Sequence, residues 1–232
     1  LVTVGAAQQL TTLAGIPFYQ GDTGSIYTHN VSGTDSTAIN NTAYGLTAMD
    51  AITTGDNNAA VGYQSLGANT TGLAGAAFGS GALKSNTEAS FNTAVGYEAM
   101  ALTTTGGSNT ALGKGALYAN TTGTRNLAIG FGAYDASDTE NDNIAIGYDA
   151  MTTNTAGGQY NTAIGNYALD ANTSGDDNVA VGYLALSANT TAIRNVAIGN
   201  RALLANTTGQ DNTALGVSAL TTNTTGADNT GL

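Results

Sequence analysis

No cysteine, no tryptophan, a single proline and few charges of either sign mark this chain. Without cysteine, neither a disulfide framework nor a thiolate metal site can be built. Five basic residues against sixteen acidic ones give a net charge of −11, which repels nucleic-acid phosphates and removes nucleic acid as a partner. No apolar run approaches the ~18 residues of a membrane-spanning helix, so membrane insertion is not expected. The N-terminal "LVTVGAAQQLTTLAGIPFYQ" has neither the basic segment of a signal peptide nor an initiator Met, and the chain is therefore expected to be a processed form or a piece of something longer. Charged residues are only 9% of the chain, too sparse for a disordered acidic tail.

What is abundant is glycine, 32 residues of it, together with Ala, Asn and Thr, arranged with a strict period. The motif Asn-x-Ala-(apolar)-Gly places its Asn at 41, 58, 92, 109, 126, 143, 161, 178, 195, 212 and 229, and Gly75 fills the one vacant slot. Every step is 17 residues except 143 to 161, which is 18, and Gly157-Gly158 in "TNTAGGQY" mark a one-residue loop insertion. With that Asn as position 1, the consensus unit is N-T-A-I-G-Y-x-A-L-x-A-N-T-T-G-x-D. Position 3 is Ala and position 5 is Gly in every full copy; position 8 is Ala except for Ser65, and position 13 is Thr except for Asp138. An ordinary core accepts any apolar residue of suitable size, so identity at this level is expected where equivalent residues stack directly on one another.

Short Val, Ile and Thr segments punctuated by Gly and Asn favour strands. The expected fold is all-β, a parallel β-solenoid of about twelve 17-residue coils. Each coil is expected to hold one strand over positions 1 to 5, a turn at the Gly, a second strand over 8 to 11, and a closing Asn-Thr-Thr-Gly. A series of antiparallel hairpins is the alternative, but hairpins do not need the same residue at the same place in every copy. Residues 41–232 form the repeat domain; residues 1–40 lack the motif and are read as a cap or connector to about residue 23 and a degenerate first coil over 24–40. The chain stops inside a copy, at "ADNTGL". More chain or a docked subunit is expected there, because an open solenoid end exposes unpaired strand edges.

Alternation along the first strand puts positions 2 and 4 on one face and the Ala of position 3 on the other, and both faces are apolar or small. One solenoid has one inside. The Ala column (Ala94, Ala111, Ala128, Ala145, Ala163, Ala180, Ala197) is therefore assigned to an oligomer interface or to the core, with Ala allowing a close approach between chains. A homo-oligomer of three rolls about an axis is expected, with a slightly wider monomeric solenoid as the alternative.

"NVAVGYLAL", "NVAIGNRAL" and "NIAIGYDAM" resemble the N-x-(V/A)-I-G-x-x-(S/A) repeats of YadA-like heads in trimeric autotransporter adhesins. The form N-T-A-x-G-x-x-A-L-x-A-N-T-T-G is similar to repeats of bacteriophage tail-fibre proteins, marine ones especially. The resemblance covers residues 41–232 and implies a left-handed parallel β-roll, trimeric, in an extracellular fibre or head on a virion tail or a bacterial cell surface. The period of 17 is longer than the family's usual head repeat. Neighbouring fibre segments at both ends would be partners.

Chemistry-bearing residues are scarce. His29 is alone, no Ser has a base at a recognisable spacing, and acids such as Asp176-Asp177 and "DTENDN" sit in turns where solvated caps are common, so an enzyme is not expected and no cofactor is implied. Acids at position 17 (Asp142, Asp177, Asp211, with Asp228) are weak calcium candidates, since calcium takes oxygen ligands. Arg125 and Arg194 occupy the same column, and an alternating charge ladder explains the acids without metal. Aromatic residues recur at position 6 (Tyr63, Tyr97, Phe131, Tyr148, Tyr183), where Tyr63, Tyr97, Tyr148 and Tyr183 could stack on sugars of a cell-surface glycan or receptor. The Thr column at 13 raises ice binding, although adjacent Thr at 13 and 14 point opposite ways if extended. The leading function is a structural and adhesive fibre module giving a rigid rod and a display surface. A glycan- or receptor-binding head is the alternative, and an ice-binding solenoid stands below it.

Overall fold

The structure is a computed structural model that describes residues 12–13, 16–17, 19–20, 26–27, 37–154 and 157–232. His29 and most of the expected cap lie outside the described residues. Four two-residue strands come first: β1 (Thr12–Leu13), β2 (Ile16–Pro17), β3 (Tyr19–Gln20) and β4 (Ile26–Tyr27). Twelve repeat strands follow, one per coil: β5 (Thr42–Tyr44), β6 (Ala59–Val61), β7 (Ala76–Phe78), β8 (Thr93–Val95), β9 (Thr110–Leu112), β10 (Leu127–Ile129), β11 (Ile144–Ile146), β12 (Thr162–Ile164), β13 (Val179–Val181), β14 (Val196–Ile198), β15 (Thr213–Leu215) and β16 (Thr230–Gly231).

β1 pairs with β2 antiparallel. The other strands form one sheet in which β4 to β16 run parallel in sequence order and β3 joins β4 antiparallel. Ala pairs with Ala at every rung from Ala43 to Ala214, and the insertion before Asn161 leaves the register intact, with Ala145 opposite Ala163. The fold is thus an all-β parallel solenoid. At ~4.8 Å per strand the twelve repeat strands extend ~53 Å. β4 supplies the first rung: Tyr27 pairs with Ala43, takes the Ala column's place at that end, and is fully buried.

Two expectations are corrected. The strand covers only positions 2 to 4, and no second strand forms at 8 to 11 among the described residues. That tract is a turn in which positions 7 and 9 have positive φ, as at Thr47 (56°) and Met49 (52°), or Tyr167 (57°) and Leu169 (54°). The cause is that positions 8 and 9 both point inward. Ala168 and Leu169 are neighbours and both are fully buried, whereas a strand would send one of them out. The left-handed backbone at position 9 turns the Leu back into the core while still letting Leu169 N donate to Ala185 O of the next coil at 3.0 Å.

The core is correspondingly narrow. It holds the Ala of positions 3 and 8 and the Leu or Met of position 9, closed by two columns of buried Asn at positions 1 and 12. Asn109 shows the position-1 pattern. Its Nδ2 donates to Gly123 O within its own coil (2.8 Å), and its Oδ1 accepts from Asn126 N of the next (2.9 Å). Asn172 at position 12 donates from Nδ2 to Gly175 O (3.1 Å) and accepts from Gly175 N (3.1 Å), while Asn189 Nδ2 reaches its Oδ1 from the next coil (2.9 Å). These bonds satisfy backbone groups that a three-residue strand leaves unpaired. Gly at position 5 is required twice over. Gly182 has φ of 137°, and a Cβ there would sit 2.4 Å from Gly199 O of the next coil.

Candidate functional site

Positions 1 and 3 share a face of the strand, so burying the Asn column takes the Ala column inward with it. All seven of the Ala residues assigned above to an interface or the core are fully buried within the single chain. At Gly231, position 3 of the last coil, even a Cβ would come within 2.7 Å of Leu220 Cγ, which shows how closely position 9 closes over this slot. The Ala column therefore belongs to the core, one of the two places assigned to it. The unpartnered face is the other one, positions 2 and 4.

That outer face is apolar along the rod. Tyr44 (54% exposed), Phe78 (43%), Leu112 (47%), Ile164 (38%), Ile198 (38%) and Leu215 (50%) stand on position 4, with Ile129, Ile146 and Val181 half-buried between them. Position 2 adds Leu127, Ile144, Val179 and Val196 among threonines and alanines.

The aromatic column divides into two parts. Phe131 and Tyr148 stack nearly parallel, 5.3 Å between centroids at 8°. Tyr148 meets Tyr167 edge-on at 5.4 Å, Tyr167 meets Tyr183 edge-on at 6.3 Å, and Lys114 Nζ lies 4.8 Å over Phe131. Tyr148 is thus occupied on both sides by other rings, and what it offers outward is an edge and a hydroxyl. Tyr63 and Tyr97 are about half exposed, stand two coils apart with Ser80 between them, and make no ring contact among the described residues. Tyr167 was missed from sequence because it belongs to position 7; the left-handed turn brings it beside the position-6 rings.

The calcium candidates are not brought together. Asp142, Asp177 and Asp211 lie in one column, but Tyr160 or Arg194 intervenes, and two coils separate these carboxylates by ~9.6 Å, too far to share an ion bound at about 2.3–2.6 Å; only Asp228 directly follows Asp211, one coil on. Arg125 instead grips Asp142 with two bonds (2.6 and 2.7 Å) and Arg194 grips Asp211 likewise (2.6 and 2.7 Å). These hydrogen bonds hold both carboxyls below the usual range. The bond to Asp211, helped by the nearby charges of Asp177 and Asp228, raises Arg194. A second group of acids, Asp135, Asp149 and Asp170, sits on another edge. Burial, and secondarily the charge of Asp149, pushes Asp135 and Asp170 up. Among the described residues no three acids or histidines are arranged to hold a metal ion.

The Thr column at 13 directs its hydroxyls along the rod: Thr70 Oγ1 donates to Thr87 O (3.0 Å) and Thr173 Oγ1 to Thr190 O (2.9 Å). These groups tie coil to coil instead of forming an outward array. No helix among the described residues is long and apolar enough to cross a membrane. No protein-family model, curated protein or solved structure matches the chain.

Proposed function

We propose that this chain is a structural rod module of an extracellular fibre, on a virion tail or a bacterial surface, and that it works as a homotrimer. The observation that carries the reading is the apolar outer face of β5 to β16. A strip ~53 Å long and ~10 Å wide offers ~530 Å² per chain, near the upper end of the largest patch a monomer ordinarily leaves in water, a size that is often functional. Three such strips converging on an axis bury ~1,600 Å² in all, or ~530 Å² at each of three contacts made together. Continuous ladders of backbone and Asn hydrogen bonds along the rod suit a part whose task is length, stiffness and display. Neighbouring fibre segments would dock at the two ends.

Light scattering on the purified chain tests this, with the expected mass three times the 23.0 kDa of one chain. Replacing Ile164 and Val181 by Asp on the outer face should give a folded monomer. A wild-type chain that is monomeric and stays folded on dilution overturns the trimer.

A further inference from the structure

One edge of the rod carries positions 7, 10 and 11, columns distinct from the apolar strand face. Along most of it, position 10 bears a side chain: Asp50, Lys84, Tyr118, Asp135, Thr152, Asp170, Leu204. Gly67 breaks that row, and a notch of about 310 Å³ opens over Gly67 and Ala68. Asp50 closes it on one side and Lys84 on the other, two coils or ~9.6 Å apart, while Thr47, Gln64 and Ser85 line the remainder. The volume lies at the lower end of small-molecule sites.

We infer that this notch binds one pyranose ring of a neutral glycan. The chemistry of the lining selects that class. Gln64 and Ser85 contribute an amide and a hydroxyl whose side chains have no partner among the described residues. Asp50 adds a carboxylate, which only accepts, so the lining offers both donors and acceptors to the hydroxyls of a sugar. A charged ligand is disfavoured. Lys84 is already paired with Glu98 at 3.0 Å, leaving no uncompensated cation for an anion in a chain of net charge −11. A cation would meet Lys84 itself. Tyr63, next to Gln64 in the chain, has a half-exposed ring. The site does not depend on trimer formation, and the two can fail separately.

Ligand-observed saturation-transfer NMR on the full chain, with the methyl pyranosides of glucose, galactose, mannose and N-acetylglucosamine as probes, tests the site. Transfer from at least one sugar is expected. Gly67→Tyr, which restores a side chain that Tyr118 shows the column accepts, should abolish it. Gln64→Ala, a change on an exposed side chain, should weaken binding about tenfold, as loss of one or two hydrogen bonds would. Thr221→Tyr, the same column in a distant coil, should leave it unchanged. No transfer from any of the four sugars overturns the inference. So does transfer that persists in folded Gly67→Tyr or is undiminished in Gln64→Ala.

Discussion

The coils from Asn161 onward and the pair spanning 126–160 solve the same packing problem with different residues. In three of the four full coils from Asn161 onward, Asn at position 12 and Gly at position 15 form one unit: a Cβ on Gly175 would lie 2.6 Å from Asn172 Oδ1, which accepts from Gly175 N, whereas Ala192 beside Asn189 forgoes that bond and leaves Asn189 Oδ1 without a partner. In the coil beginning at Asn126 both are replaced, by Ser137 and Glu140, and the Leu usual at position 9 becomes Tyr134. Glu140 is only 2% exposed; with the shorter Ser137, its carboxylate takes over the role of the Asn carbonyl. Oε2 accepts from Asp138 N (2.9 Å), Thr139 N (3.1 Å) and Ser137 Oγ (3.2 Å), and Oε1 accepts from Gly157 N of the lengthened coil (3.1 Å). Tyr134 Oη then accepts from Asn143 Nδ2 (2.6 Å) and Asn154 Nδ2 (2.8 Å), supplying the acceptor that Ser137 cannot. The irregular coil shows that different residues can meet the same donors, although the buried Asn120 Oδ1 and Asn154 Oδ1 on either side of it are left without a partner.

The comparison can be broken most severely in a regular coil. Gly182→Ala would place a Cβ against the Gly199 carbonyl in backbone that disfavours any side chain, and a loss of about 3 kcal/mol or more in denaturant unfolding is expected. Next comes the exchanged pair. Glu140→Gly alone should cost about 2–3 kcal/mol, because it removes a buried carboxylate that accepts from Asp138 N, Thr139 N, Gly157 N and Ser137 Oγ. Ser137→Asn in the same chain should recover most of that loss, and a double-mutant cycle without coupling would mean the two positions are independent. A smaller effect is expected at alkaline pH. Burial holds the Tyr134 phenol well above its ordinary value of 10.0, so above pH 10 the unfolded chain releases a proton that the folded chain keeps. Stability should then fall with rising pH by up to about 1.4 kcal/mol per unit, and Tyr134→Phe should remove this part of the slope in a pH series of melts. The smallest change is a gain. Arg201 is exposed with φ of 58° at position 7, where the irregular coil has Gly132 with φ of 60°. Arg201→Gly should stabilise by about 0.5–1 kcal/mol, the relief of left-handed strain less the added entropy of the unfolded chain.

The period, the parallel stacking and the Asn and Gly columns were legible because stacking imposes identity on every copy. The inward direction of Ala163 is tied to the Asn column: Asn161 faces inward to reach Gly175 O, and position 3 follows position 1. Apolarity alone misled, since Ile164 outside is larger than Ala163 inside. The second strand failed for another reason. Nothing in "ALDAN" signals that Leu169 adopts a left-handed backbone, a conformation Leu ordinarily avoids, and only the fit of Ala168 and Leu169 into the same core makes it tolerable. Among the ring candidates, spacing placed Tyr148 and Tyr183 in one column correctly. It could not show that Phe131 and Tyr167 occupy the two sides of Tyr148.

By itself, then, the sequence determined a one-dimensional stack: a fixed period, equivalent residues in register, and polar ladders closing each coil, all consequences of placing like on like along one axis. The tertiary structure decided the direction across that axis. Which face is inside depends on where the Asn side chains find their carbonyls, on a left-handed turn that packs two consecutive residues inward, and on a glycine gap at residue 67 that opens an edge. These outcomes arise between coils, from distances and backbone angles that a list of residues does not contain.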